Sequence, residues 1–311
     1  MPIFSERLPV ISKSIAAAAM TLLVGGCASL TPYAEVREQL PDDRFVTVDG
    51  SEVYVERWGR GEAVLLIHGF GGSSHNWSRV AEDLAEDFWL VAPDLRGFGW
   101  SERPDSRQAY AFENQVRTVL GVLDALEIER AHVVGHSYGG GVALWLANRH
   151  PERVRSLVLV GSTLPGTEYE TGRRLPSAGP LTPIAVRWML RPAFLRSALE
   201  SSYYDPDKVD DALVASYRER LSVEGINRAF RGLTAKSSRP RGSLDLARLT
   251  IPTLVVWGAE DPLLPADSGR RFAEAIPNGR FLAIPECGHT PMEETPEAFV
   301  AAVEPFLAES P

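Results

Sequence analysis

Gly135-His136-Ser137-Tyr138-Gly139 constrains this chain more than any other stretch. Ahead of it, Ala131-His132-Val133-Val134 is a short run with β-branched residues, suited to a buried strand. Behind it, Gly139-Gly140-Gly141 opens into Val142-Ala143-Leu144-Trp145-Leu146-Ala147, which is apolar and long enough for a buried helix. A serine between such a strand and such a helix sits on a sharp, strained turn, and the turn needs glycine on both sides for steric room. The helix N-terminus then brings partial positive charge and free N–H groups near the serine oxygen. The same residues also suit a plain glycine-rich connection, so the meaning of Ser137 depends on its partners.

The rest of the chain supplies a frame for that turn. Phe45-Val46-Thr47-Val48 and Glu52-Val53-Tyr54-Val55 alternate around Asp49-Gly50, a hairpin signal. Ala63-Val64-Leu65-Leu66-Ile67 is a continuous apolar run typical of a strand covered on both faces, and it delivers His68-Gly69-Phe70-Gly71-Gly72. Further strands are expected at residues 89–92, 154–160, 253–257 and 280–284, with helices over 77–85, 112–126, 267–275 and 296–307. Strands alternating with helices predict a mostly parallel sheet flanked by helices. Residues 164–241 break the rhythm: they hold several prolines and helix-like pieces around 184–199 and 208–221, and read as a helical cap inserted over the site. The core is then 45–163 together with 242–311. With 311 residues, 44% of them hydrophobic, the chain can bury such a core.

The N-terminus reads differently. Arg7 and Lys13 precede an apolar run over residues 15–24, too short to span a bilayer comfortably, which ends in Val24-Gly25-Gly26-Cys27. That ending resembles the lipobox of bacterial lipoproteins. The resemblance implies a signal peptide over 1–26, lipidation of Cys27 and export to the cell envelope. Ala28, where aspartate would signal inner-membrane retention, favours the outer membrane of a Gram-negative cell. Residues 27–44 are then expected to be a polar tether. The net charge of −9 argues against nucleic acid or an anionic membrane surface as partner, so the lipid would hold the protein at the membrane. The two cysteines, Cys27 and Cys287, provide neither a disulfide framework nor a metal cluster.

A serine nucleophile needs a base, and the chain has six histidines. His68 lies in a glycine-rich loop, His136 is locked beside Ser137, His132 starts its strand at the far end, and His150 closes the following helix. His75 lies in a polar loop. His289, in Gly288-His289-Thr290-Pro291, directly follows the last expected strand, where ligands meet parallel sheets. An acid to orient it is offered by Gly258-Ala259-Glu260-Asp261-Pro262, with Glu260 and Asp261 both candidates. Backbone N–H groups of Tyr138 and Phe70 are the candidate donors to an oxyanion.

Five motifs now stand in order: His68-Gly69-Phe70-Gly71-Gly72, Asp94-Leu95-Arg96-Gly97-Phe98-Gly99, the Ser137 turn, Gly258-Ala259-Glu260-Asp261-Pro262, and Gly288-His289-Thr290-Pro291-Met292-Glu293-Glu294-Thr295-Pro296. Together they resemble the α/β-hydrolase superfamily from about residue 45 to 307. The resemblance implies the α/β-hydrolase fold, prefers Asp261 over Glu260, and gives the order Ser137, Asp261, His289 expected of that family. The sequence carries no metal-ligand cluster, and Gly69-Phe70-Gly71-Gly72 lacks the spacing of a dinucleotide fingerprint, so catalysis without cofactor or metal is the expectation. Ser137 stands where family epoxide hydrolases and haloalkane dehalogenases have aspartate. The elbow is not the Gly-Gly-Ser-Trp-Gly of proline iminopeptidases, and Thr290 stands where ring-cleavage carbon–carbon hydrolases often have tryptophan. The expected activity is therefore hydrolysis of a small-molecule ester or thioester through an acyl-enzyme on Ser137. Carbon–carbon hydrolysis of a diketone-type ring-cleavage product is the alternative, and a non-catalytic ligand-binding relative of the same fold is a third.

Overall fold

The structure, a computed structural model, describes residues 30–164, 182–235 and 243–310. The expected signal peptide and Cys27 lie outside the described residues, as do 165–181 and 236–242 of the expected cap.

Eight strands form one sheet: β1 (Phe45–Val48), β2 (Ser51–Gly59), β3 (Glu62–Ile67), β4 (Phe88–Pro93), β5 (Ala131–His136), β6 (Val154–Val160), β7 (Thr253–Gly258) and β8 (Gly279–Ile284). Their order is β1-β2-β4-β3-β5-β6-β7-β8. The β1–β2 and β2–β4 pairings are antiparallel, and every later pairing is parallel. At the β1–β2 hairpin, Asp49 and Gly50 both take positive φ, +49° and +74°. A type I′ turn demands that of its two central residues, and Asp-Gly satisfies it cheaply.

The middle strands are apolar at nearly every position because helices cover both faces. Along β3, Leu65 and Ile67 enter one core cluster while Val64 and Leu66 enter the other. Val133 and Val134 of β5, Leu157 and Val158 of β6, and Val255 and Val256 of β7 divide the same way. The first cluster is closed by α3 (Phe112–Ala125), α4 (Ser137–Arg149) and α9 (Ala266–Ala275). The second is closed by α2 (Ser78–Leu84) and α11 (Pro296–Glu309). Leu65 has no exposed surface. Its truncation to alanine is expected to cost about 2–5 kcal/mol. A loss under about 1 kcal/mol in chemical denaturation would show that the site collapses around the missing atoms.

The stretch read as a tether is docked onto the body from residue 30 onward. Thr31 pairs with the chain at Val223, its N–H donating to Ser222 O at 2.8 Å. Helix α1 (Tyr33–Gln39) buries Val36 against Tyr54, Trp100 and Val223. Arg37 pairs with Glu52 at 2.9 Å and lies over the Phe45 ring. The polar composition of this stretch hides one apolar stripe of Tyr33, Val36 and Leu40, the i, i+3, i+7 spacing of a helix face.

In the cap, α5 (Thr182–Met189) and α6 (Pro192–Glu200) replace the single expected helix, because Pro192 cannot continue one and instead starts the next. Helix α7 (Asp211–Leu221) begins later than its composition implied, where the Asp210 side chain accepts from Leu213 N–H at 2.7 Å. Helix α8 (Ile226–Leu233) was not legible as an element. It buries Ile226, Ala229 and Phe230 behind a surface of asparagine and arginine.

Candidate active site

Strand β5 ends at His136 and α4 begins at Ser137 without an intervening loop. The reversal is concentrated in Ser137, whose φ is +51°. A non-glycine residue held there costs on the order of 1–3 kcal/mol, sustained by the surrounding packing. Gly135 must lack a side chain, since a methyl group there would lie 2.6 Å from Gly139 O. Ser137 is thereby the first residue of a helix, with the Tyr138 N–H free at its N-terminus.

The loop after β3 leans on this turn. Gly72 N–H closes a turn onto Gly69 O at 3.1 Å, which leaves the Phe70 N–H outside the turn bond. A methyl group on Gly69 would lie 3.2 Å from Ser137 Cβ. The loop is fixed from behind by His68, fully buried, whose Nε2 accepts from Leu95 N–H at 2.9 Å. Burial lowers the His68 pKa, so the ring is neutral and its other nitrogen, 2.7 Å from Gly69 O, carries the proton. Asp94 ties the same region together, accepting from Ser74 N–H at 2.6 Å and Trp100 N–H at 2.7 Å. The Asp94 motif is thus a brace for the loop carrying Phe70.

Across the site, His289 Nδ1 and Asp261 Oδ2 are 2.8 Å apart, both side chains buried. The other oxygen, Oδ1, accepts from Leu263 and Leu264 N–H at 2.8 and 2.9 Å, so the carboxylate cannot swing away. With Nδ1–H donated to Asp261, His289 keeps its lone pair on Nε2, the state a general base requires. Glu260 points elsewhere, accepting from Cys287 N–H at 3.2 Å. His136, set aside as a base on sequence grounds, supports His289 instead. Its Nε2 donates to His289 O at 2.9 Å, and burial holds its pKa well below the ordinary value. Cys287 is fully buried, with burial pushing its thiol up to about 12, so it is an inert neighbour.

Phe70 stands edge-on to Tyr138, Phe98 and Phe230, at 6.2, 5.3 and 6.3 Å between ring centres. Phe230 joins Val186, Leu190 and Ile226 in an apolar cap cluster that Phe70 and Leu30 also touch. The wall facing Phe70 is therefore apolar and built largely by the cap. Arg103, missed in the sequence, fastens that cap. Buried, it donates to Gly99 O and Gly97 O of the core and to Arg220 O, at 2.9 Å, and Glu224 O of the cap. Burial lowers its pKa to about 10, which leaves it charged at neutral pH. Arg103→Met is expected to cost about 1–3 kcal/mol for each carbonyl left unpaired, and to make the cap cleavable by trypsin before the core. Cleavage starting in the core would count against this role.

The comparisons can now be placed beside this geometry. Residues 62–296 match the family described as alpha/beta hydrolase fold. The chain belongs to that family. Within it, the chain is 37% identical over 282 residues to the 2-hydroxymuconate semialdehyde hydrolase of Pseudomonas sp. (strain CF600), covering 86% of this chain and 94% of that enzyme. Among solved structures it resembles 2-hydroxy-6-oxo-6-phenylhexa-2,4-dienoate hydrolase from Rhodococcus sp. strain RHA1, with a TM-score of 0.70, 27% identity, and coverage of 85% of this chain and 98% of that one. It also resembles a membrane phospholipase A described as a bacterial virulence factor, again with a TM-score of 0.70 and 27% identity, over 95% of this chain and 94% of that one.

Proposed function

We propose that this alpha/beta hydrolase is a serine hydrolase that cleaves a carbon–carbon bond in a diketone-type ring-cleavage product. The observation that carries this reading is the 37% identity to the Pseudomonas semialdehyde hydrolase along nearly its whole length. Reading the sequence alone puts ester hydrolysis first, and the relatives reverse that order. The elbow and the His289–Asp261 pair serve both reactions, so those residues do not encode which bond breaks.

The chemistry follows from acyl transfer. His289 Nε2 takes the Ser137 proton as Oγ adds to the substrate carbonyl, and the N–H groups of Tyr138 and Phe70 receive the oxyanion. Collapse breaks the bond from the carbonyl carbon to its neighbour, whose electron pair leaves as an enolate conjugated with the second carbonyl. The imidazolium returns its proton to that fragment. Water, deprotonated by His289, then adds to the acyl carbon and releases Ser137. One water is consumed, and a C–C bond is exchanged for C–H and C–OH.

Ester hydrolysis is the second reading, and two observations favour it. Thr290 follows the candidate base. The membrane phospholipase A aligns along 95% of the chain, against 85% for the Rhodococcus enzyme. Turnover of a ring-cleavage dienoate, followed by loss of its absorbance, is to be compared with p-nitrophenyl esters of increasing chain length and with a phospholipid. A kcat/KM for the dienoate at least ~100-fold above every ester is expected; the reverse ranking makes the protein an esterase. No turnover of any of them, with no fluorophosphonate labelling of Ser137, would sink both readings in favour of a binding role.

We further propose that Cys27 carries a lipid anchor that holds the protein in the cell envelope, a reading supported by the basic, apolar and Gly25-Gly26-Cys27 order of the N-terminus. Metabolic labelling with an alkyne fatty acid is expected to mark the native chain and not Cys27→Ser. Equal labelling of both would discard the anchor.

A further inference from the structure

The residues after His289 do more than end a loop. Helix α10 (Pro291–Glu294) presents two adjacent carboxylates, Glu293 and Glu294, each 2% exposed. Glu294 accepts from Gly288 N–H at 2.6 Å and, through its other oxygen, from Asp205 N–H of the cap at 2.8 Å. Glu293 accepts from Asn76 Nδ2 of the core at 2.7 Å, from Tyr203 of the cap at 3.2 Å, and from Tyr217 of α7 at 3.1 and 3.2 Å. Asn76 also donates to the Tyr217 hydroxyl. Between these carboxylates and the triad, cap and catalytic loop meet directly: His289 N–H donates to Ser202 O at 2.7 Å. A methyl group on Gly288 would lie 2.5 Å from that same oxygen.

We propose that Glu293 is a positioning residue that fastens the cap onto the loop carrying His289, and that the charge on Glu293 sets how tightly this joint closes. Nothing in acyl transfer requires a carboxyl group at this place. A structural acceptor alone could be a glutamine, which is uncharged at every pH. Glu293 is instead one of the walls of a cavity of about 310 Å³ between core and cap, which it shares with His75, Arg79, Asp210 and Ser216. That cavity gives a buried carboxyl group a route for its proton.

The sign follows from the environment. Burial pushes Glu293 up to about 7, outweighing the hydrogen bonds from Asn76, Tyr217 and Tyr203 and the nearby Arg79, which favour the charged form. Lifting the cap would expose Glu293 and return it toward an ordinary carboxyl. A group whose pKa is higher in the closed joint favours closure while it is protonated, and that favour is lost as pH rises from about 4.5 to about 7. The other groups facing the joint do not supply this behaviour. His75, which burial lowers to about 4, works in the opposite sense, since opening would return it toward 6.5 and closure would then gain as pH rises between those values; Arg79 pairs with Asp210 at 3.9 Å, and burial raises Tyr203 and Tyr217 far above the range. Glu294 is held by two backbone N–H groups.

The His289 amide reports the joint, because its partner is Ser202 O of the cap. Its hydrogen exchange, corrected for the intrinsic pH dependence, is to be followed from pH 5 to 8 in the full protein carrying His75→Asn, which removes the opposing group, and in that protein with Glu293→Gln or Tyr217→Phe added. Protection is expected to fall at least tenfold across the range where Glu293 is kept, and to be independent of pH where it is glutamine. Tyr217→Phe keeps the slope and lowers protection throughout. A flat profile with Glu293 kept, or one that Glu293→Gln reproduces, overturns the proposal.

A second arm measures Ser137 labelling by short- and long-chain fluorophosphonates. In the same His75→Asn background, the preference for the short probe should weaken as pH rises where Glu293 is kept, and stay constant in Glu293→Gln. This arm rests on Ser137 being the nucleophile. Absence of labelling in the native protein would overturn that reading alone, and the exchange profile would still decide the role of Glu293.

Discussion

Replacing Ser137 with alanine is expected to lower kcat by ~10⁴–10⁶-fold on whichever substrate the native protein accepts, leaving the remainder to the oxyanion donors and the pocket. KM should stay within a few-fold, because a hydroxyl with the proposed role of attacking group contributes little to holding the substrate. The same change should raise stability slightly. Alanine removes a hydroxyl that is 92% buried with its residue but keeps the strained φ of +51°. Turnover within tenfold of the native value would mean that the elbow is only a connection. Retained activity after glycine replacement would say the same, with the strain relieved as well.

Asp261→Asn should be nearly as severe, lowering kcat about 10⁴-fold. The amide can still occupy the space and accept from Leu263 and Leu264. What it loses is the acceptor that fixes the proton of His289 on Nδ1. An Asn NH₂ facing Nδ1 selects the other tautomer, with the proton on Nε2, and a protonated nitrogen takes up nothing. Glu260→Gln is the control, one position away, and is expected to change kcat by less than about threefold because its carboxylate serves Cys287 N–H. Equal losses in both variants would mean that the loop's shape matters and the identity of the acid does not.

The parts of the fold that the sequence reveals are those where geometry forces composition. A strand covered on both faces must be apolar throughout, so β3, β5, β6 and β7 are visible in the residue order. A turn with two positive φ values needs Asp-Gly or its like, so the β1–β2 hairpin is visible too. Ser137 and His289 stand out because special backbone or loop chemistry surrounds them. The choice of Asp261 over Glu260 could not come from neighbouring residues of equal charge, and needed the family resemblance or the folded contact with His289. Helix α8 and the docked segment from residue 30 escaped because their apolar stripes are short and set among arginines, prolines and acids. Glu293 stood in plain view, four residues past His289, but one acidic side chain in a helix reads as solvated surface until its buried partners are known.

Arg103 holds the cap through main-chain oxygens at Arg220 and Glu224, not through their side chains. A fastening made to the backbone is indifferent to which residues present it. Side chains of the inserted helical segment can change one at a time while Arg103 keeps its backbone fastened to the core. Such a joint survives changes of surface that would undo one made between side chains.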